Sequence, residues 1–301
     1  MNILKIIGDF NVNKVNNREE DAISRRVKTL LNEESDFYVR EAYNVARTNI
    51  IYSLGGEKGC KKILITSASP SEGKTTTCLN TAITFAQTEA KVLIIDADLR
   101  KPRIHRHLSI ESANGLSDYL CGLVSLDKII KHCEKQNMDC ITSGKIPPRP
   151  AELLSSTEMG NLLDELSKRY DYIFIDTPPV TVVTDAAAMA KFVSGVILVV
   201  RQNSTIHESI KRAKNNLELA NANFLGYILN DVDEMSFSNG PYNRYGYRSA
   251  RKKSYGYEYG YGYGHGYGYG HGYGYGTDGG YGYGYKERER KEKREKSDKN
   301  K

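Results

Sequence analysis

The stretch Ala68-Ser69-Pro70-Ser71-Glu72-Gly73-Lys74-Thr75 constrains the fold of this chain more than any other. An apolar run, Ile63-Leu64-Ile65, leads into it, and a helical pattern from Thr75 to Ala86 leads out. Strand, loop of small residues, Gly-Lys-Thr, then helix is the layout of a phosphate-binding loop. Such a loop turns several backbone N–H groups inward as an anion cradle, and the helix N-terminus adds the positive end of its dipole. Lys74 would then reach the β- and γ-phosphates of a nucleotide, and the Thr75 hydroxyl would hold Mg²⁺. Ser71, Glu72, Gly73 and Thr76 complete the candidate nucleotide-binding residues of the loop. The competing reading is a polar turn that happens to contain Gly-Lys-Thr, since the first loop position, usually Gly, is Ala68.

Two further apolar runs bear on that choice. Lys91-Val92-Leu93-Ile94-Ile95 ends in Asp96-Ala97-Asp98, and Tyr172-Ile173-Phe174-Ile175 ends in Asp176-Thr177-Pro178-Pro179. Continuous apolar runs belong to strands buried on both faces of a parallel sheet. Met138–Thr142, Gly195–Val200 and Phe224–Asn230 read as additional strands. Helical patterns cover Asp36–Ser53, with Ala42, Val45, Ala46 and Ile50 toward one face, then Leu126–Cys133, Ala151–Tyr170, Thr184–Ala190 and Ile206–Ala220. Alternating strands and helices predict a layered α/β domain with right-handed crossovers. Ligands of such sheets sit at the carboxyl ends of the strands. The loop 68–75, Asp96, Asp98 and Asp176 all fall there.

Phosphoryl transfer asks a protein for a cradle, a cation, and a group that orients or deprotonates the acceptor. Gly73, Lys74 and Thr75 supply the first, and Asp176 is placed to hold Mg²⁺ directly or through water. One of Asp96 and Asp98 would be the base for an incoming hydroxyl and the other a metal partner; their spacing does not say which. Asn230, at the end of the last strand, is a candidate to meet the purine or a plain strand-end turn residue.

Residues 1–35 are polar and mixed in charge and read as a flexible arm, with 36–239 as the globular domain, 240–285 as a Tyr/Gly-rich segment and 286–301 as a charged end. The net charge of +6 belongs to the tail: residues 240–301 hold 14 Lys/Arg and 7 Asp/Glu. The body is therefore close to neutral and offers no argument for a nucleic-acid groove. Five Cys, an odd number without close metal-binding pairs, point to reduced thiols and a cytosolic compartment. The start lacks a signal-peptide layout, and no run approaches the roughly 20 apolar residues of a membrane span. A partner would have to bring the protein to a membrane.

Ile94-Ile95-Asp96-Ala97-Asp98-Leu99-Arg100-Lys101-Pro102, taken with Phe174-Ile175-Asp176-Thr177-Pro178-Pro179, resembles the bacterial tyrosine kinases of capsule and exopolysaccharide operons. Ser143-Gly144-Lys145-Ile146-Pro147-Pro148-Arg149-Pro150-Ala151-Glu152-Leu153-Leu154 is similar to that family's segment between the two acidic motifs. The family accepts Ala at the first loop position. The resemblance implies a P-loop NTPase-type three-layer α/β domain with a mostly parallel sheet. It also implies an ATP- and Mg²⁺-dependent autokinase on tyrosine that controls polysaccharide assembly. Such a protein would be cytoplasmic and peripheral at the inner face of the membrane, activated by a transmembrane adaptor, with sugar-nucleotide enzymes as further substrates and no nucleic-acid partner. By the same resemblance Lys74 and Thr75 bind the phosphates and Mg²⁺, Asp98 and Asp176 help position the metal, and Asp96 is the first choice of base, ahead of Asp98. The family packs into a homo-oligomeric ring through a Glu-x-x-Arg-x-x-Arg helix. Here Glu41 and Arg47 match, but Asn44 replaces the first Arg, so one charge is missing.

The alternative within the fold is the partition and cell-division ATPase group, nucleotide switches without tyrosine transfer. Those carry Lys at the second loop position, where this chain has Ser69. A dinucleotide enzyme fits less well, because Gly-x-Gly-x-x-Gly is absent.

Residues 240–285 hold 15 of the 22 Tyr and 16 of the 27 Gly, mostly alternating. Gly at every second position leaves one strand face nothing to pack and raises the ordering cost, so the segment reads as disordered. A sticky low-complexity linker and a base-stacking platform are the bland readings. Beside a tyrosine kinase domain the tail becomes substrate, with Tyr255, Tyr257, Tyr259, Tyr261, Tyr263, Tyr267, Tyr269, Tyr273, Tyr275, Tyr281, Tyr283 and Tyr285 as candidate acceptors. A Gly-rich chain of about 45 residues spans roughly 35–40 Å, enough to reach a neighbour's site in an oligomer. His265 and His271 are too few to argue for a metal.

Overall fold

A computed structural model describes the backbone of residues 3–5 and, in full, residues 30–55 and 59–232. The expected Tyr/Gly segment 240–285 and the charged end 286–301 lie outside the described residues. Among the described residues eight strands form one sheet: β1 (Ile3–Lys5), β2 (Lys61–Ser67), β3 (Val92–Asp96), β4 (Ile130–Cys133), β5 (Met138–Ile141), β6 (Tyr172–Asp176), β7 (Gly195–Arg201) and β8 (Phe224–Asn230). Their order is β1-β8-β7-β2-β6-β3-β5-β4, and every neighbouring pair is parallel except β4 with β5. The loop-bearing strand β2 therefore sits centrally, flanked by β6 and β7.

Helices cover both faces, as the all-apolar strands require. They are α1 (Phe37–Ser53), α2 (Lys74–Ala86), α3 (Ile104–Leu108), α4 (Leu116–Leu120), α5 (Leu126–Ile129), α6 (Pro150–Leu154), α7 (Thr157–Leu166), α8 (Asp185–Met189) and α9 (His207–Leu219). Successive residues of a strand point to opposite faces. Ile63, Ile65, Ile94 and Phe174 join a core with Ala46 and Ile50 of α1 and Leu79, Ala82 and Phe85 of α2. Leu64, Leu93, Ile95 and Ile175 join the other core with Leu162, Leu163 and Leu166 of α7 and Leu217 of α9. Each such aliphatic side chain contributes about 1.5–3 kcal/mol by leaving water. The three-layer α/β expectation is met.

Local boundaries depart from the sequence reading in five places. Inside the expected arm 1–35, Ile3–Lys5 pairs with Tyr227–Leu229 at the sheet edge, and Leu30 and Leu31 are buried in the α1–α2 core. The Leu31 N–H donates to Asn80 Oδ1 at 2.9 Å. On α1, Ala46 and Ile50 are buried and Ala42 packs partly buried against the core as expected, but Val45 is exposed and Tyr43 takes a buried place in its stead. The helix expected over 151–170 breaks at Ser155-Ser156, because the Ser156 hydroxyl caps α7 by accepting from Met159 N. Only Leu126–Ile129 of 126–133 is helical; Ile130–Cys133 pairs antiparallel with β5 instead. α3 was not expected, and its N-terminus is held by Asp96 as described below. Among the described residues all five Cys are free, and no helix is long and apolar enough to cross a membrane.

Candidate active site

Between Ser67 and Lys74 the chain makes a loop that only particular residues tolerate. Ser71 and Gly73 both take positive φ, 65° and 83°. The turn Thr177-Pro178-Pro179 lies directly behind it. Thr177 N and Oγ1 both donate to the Ile65 carbonyl at 3.0 Å, Thr66 Oγ1 donates to the Pro178 carbonyl at 2.8 Å, and Val180 N donates to the Ser67 carbonyl at 3.0 Å. β2 and the end of β6 are thereby clamped to each other.

Four of the predicted residues meet at the end of that clamp. Lys74 Nζ lies 2.9 Å from Asp98 Oδ2 and 3.4 Å from Asp176 Oδ1. Thr75 Oγ1 donates to Asp176 Oδ2 at 2.6 Å. Asp96 and Asp176 face each other in the β3–β6 register. Both are fully buried, and Asp98 is 5% exposed. Asp98 Oδ1 also accepts from Lys101 N at 3.0 Å, which fixes its orientation. Asp96 is held differently: its Oδ2 accepts from the Arg103 and Ile104 N–H groups at 3.1 and 3.0 Å, capping α3, while its buried Oδ1 has no hydrogen-bond partner among the described residues.

Three carboxylates and one ammonium in a buried space perturb each other. Burial, then repulsion from Asp176, raises the Asp96 carboxyl to about 8. Burial also raises Asp176, against the pull of Lys74 and Thr75. Burial alone would lower Lys74, but Asp176 and Asp98 outweigh it and hold the ammonium above its ordinary value. The cluster carries more negative charge than one lysine neutralises. That surplus, with a Thr hydroxyl among the donors, fits a divalent cation. Among the described residues no group of three His, Cys, Asp or Glu forms a complete cage. Mg²⁺ does not need one, since it is usually held by one or two carboxylates plus substrate phosphates.

The remaining predicted residues take other places. Asn230 donates from Nδ2 to the Glu72 carbonyl at 3.0 Å, so its amide nitrogen is engaged with the loop. The Glu72 carboxylate turns inward, accepting from Ser69 N at 2.9 Å and from Thr205 Oγ1 at 2.6 Å. Ser71 is exposed and Thr76 half-buried. On α1, Glu41 accepts from Asn44 Nδ2 at 2.9 Å, while Arg47 Nη1 reaches the Thr84 carbonyl on α2 at 2.6 Å. Glu41 and Arg47 are thus not brought together within the protomer. Sequence reasoning missed the pair made by Arg100 and the fully buried Asp185, two parallel contacts of 2.9 Å that tie the Asp98 loop to α8. Arg100 belongs to the acidic motif that follows β3; its partner 85 residues away carries no local signal.

Gly73 has no room for a side chain: a Cβ there would fall 2.0 Å from Asn230 Nδ2. Gly73→Ala is therefore expected to force Asn230 off Glu72 and to strain a backbone at φ 83°, costing about 2 kcal/mol. Urea unfolding reads the stability, and titration with Mg²⁺ and ADP reads a binding constant weakened about tenfold.

Fold and site together define a phosphate-loop nucleotide-binding protein with a divalent-metal centre. A family model described as an AAA domain matches residues 60–223. The tyrosine-protein kinase YwqD of Bacillus subtilis (strain 168) is 40% identical over 190 residues, 63% of this chain and 80% of that protein. The crystal structure of the chimerical protein CapA2B2 superposes with a TM-score of 0.68 at 32% identity, covering 77% of this chain and 95% of that one. The kinase domain of the Escherichia coli tyrosine kinase ETK superposes at 0.64 with 34% identity, covering 73% and 81%. This chain belongs to the bacterial tyrosine-protein kinases. Some relatives are much longer: the match spans 26% of the Etk protein of E. coli (strain K12), at 38% identity.

Proposed function

We propose that the protein is an ATP- and Mg²⁺-dependent autokinase that phosphorylates tyrosines of its own C-terminal cluster in trans, and that it regulates capsule or exopolysaccharide assembly together with a transmembrane adaptor. The observation that carries this reading is the convergence of Lys74, Thr75, Asp98 and Asp176 at one buried point beside the loop, with Asp96 close behind. In this reading Lys74 and the loop N–H groups bind the phosphates, and Thr75, Asp98 and Asp176 hold the cation. When bound, the cation would neutralise charge on the transferred phosphoryl group. Asp96 Oδ1 takes the proton of the tyrosine hydroxyl, having no hydrogen-bond partner among the described residues. The acceptors Tyr255–Tyr285 belong to the same chain, so their local concentration is high without tight binding. Phosphates add about −1.5 to −2 charge each, which turns a +7 tail strongly acidic and would drive subunits or the adaptor apart. Oligomer assembly is assigned to the α1 face carrying Glu41. With Arg47 engaged on Thr84, that contact relies on fewer charges than the three-charge motif.

Intact mass after incubation with Mg²⁺ and ATP, alone and with the cytoplasmic segment of the adaptor, tests the reading. Additions of about 80 Da that map to residues 255–285 are the expected result. ATP hydrolysis without additions would make the protein a nucleotide switch instead.

A further inference from the structure

We propose that Thr205 and Glu72 are positioning residues, forming a brace that holds the 69–73 loop in its phosphate-binding shape before nucleotide arrives. The brace starts at the end of β7. The Arg201 N–H donates to Thr205 Oγ1 at 2.8 Å, and Thr205 Oγ1 donates in turn to Glu72 Oε1 at 2.6 Å. The other carboxylate oxygen, Glu72 Oε2, accepts from Ser69 N at 2.9 Å. The side chain of Glu72, a residue 2% exposed, thus ties the start of the loop segment to Thr205 beyond the end of β7. The neighbouring strand end adds Asn230 Nδ2 on the Glu72 carbonyl.

The arrangement has a cost that a merely structural turn would not need. A carboxylate is buried, and its proton affinity is raised chiefly by that burial. Among the described residues it makes no ion pair; its oxygens are met by the Ser69 and Ala68 backbone N–H groups and the Thr205 hydroxyl. Ser71 at φ 65° and Gly73 at φ 83° flank it, so the segment it holds is the strained part of the loop. Without the brace that segment can relax when no phosphate is present, and nucleotide must then reorder it on binding. The penalty falls on ground state and transition state alike, because bound phosphates hold the loop through both. The expected signature is weaker nucleotide affinity with turnover preserved.

The proposal rests on the nucleotide site read above but not on tyrosine transfer. Thr205→Val keeps the branched shape and removes the hydroxyl; Thr205→Ser keeps the hydroxyl. Calorimetric titration of the full chain with Mg²⁺ and ADP is expected to show Thr205→Val binding about tenfold more weakly, the loss typical of a hydrogen bond to a charged group. Thr205→Ser is expected to stay near wild type. In the kinase assay the KM for ATP should rise with kcat within about twofold. Glu72→Gln, which keeps the size but leaves only one good acceptor, should weaken ADP as Thr205→Val does, with the urea midpoint reporting that both variants fold. Equal ADP affinity in wild type and Thr205→Val overturns the brace. So does a fall in kcat at unchanged KM, or failure of Thr205→Ser to restore binding. Absence of ADP binding by the wild type would overturn the nucleotide site and the brace together.

Discussion

Lys74→Met is expected to lower phosphate transfer by about a thousandfold, the upper end of what one preorganised charge contributes to a transition state. Among the described residues Lys74 is the cation that meets both Asp98 and Asp176, at 2.9 and 3.4 Å. Methionine keeps the length and apolar stem of lysine while removing its ammonium, so the loss is one of charge rather than packing. The variant should also show how the cluster tolerates itself. Removing one partner of a buried ion pair typically costs about 3–5 kcal/mol, because the other charge is left uncompensated. Here Asp176 and Asp96 already favour protonation, through burial above all, so at low pH they can shed that charge. The urea midpoint of Lys74→Met should therefore fall further below wild type at pH 8.5 than at pH 6. Intact mass after incubation with Mg²⁺ and ATP reads the transfer. Transfer within tenfold of wild type would remove Lys74 from the mechanism.

The parts of the site written contiguously were legible in the sequence. Lys74 and Thr75 follow their loop, and Asp96, Asp98 and Asp176 end strands whose unbroken apolar runs announce burial on both faces. What escaped depends on pairing across the chain. Thr205 reaches Glu72 over 133 positions, and Asp185 reaches Arg100 over 85. A buried carboxylate looks the same in sequence whether it faces a ligand or a loop N–H. β4 escaped because four residues, Ile130–Cys133, become a strand only by pairing with Met138–Ile141. α3 escaped because its N-terminal donors are met from a strand end, Asp96, eight positions before Ile104. Asn230 ends β8 beside the loop, and spacing could not say that its amide nitrogen would meet the Glu72 carbonyl. Arg47 likewise reads as a helix-surface charge until α2 presents the Thr84 carbonyl beside it.

The choice of base between Asp96 and Asp98 comes down to which carboxylate has an oxygen to spare. Asp98 uses Oδ2 on Lys74 and Oδ1 on the Lys101 N–H. Among the described residues Asp96 uses only Oδ2, and its Oδ1 is buried without a partner. A base works best with a pKa near the operating pH, and Asp96 is raised to about 8 by burial and by Asp176. The carboxylate is the active form, so kcat/KM should climb with pH along a limb near 8, since it reports the free enzyme. Bound cation favours the carboxylate, so the limb in kcat should lie at lower pH. Asp96→Asn should remove that limb and cost about 10²–10⁴ in transfer. It should spare α3, because the amide oxygen still accepts from Arg103 and Ile104. Asp98→Asn should weaken metal dependence and leave the limb in place. Stability carries the same signature with its sign fixed. A carboxyl whose folded pKa is raised binds more protons folded than unfolded, so its contribution is full below about 4 and is lost as pH rises toward about 8. The difference in urea midpoint between wild type and Asp96→Asn should accordingly grow in the variant's favour from pH 5 to pH 8.5. A limb that persists in Asp96→Asn and vanishes in Asp98→Asn would move the base to Asp98.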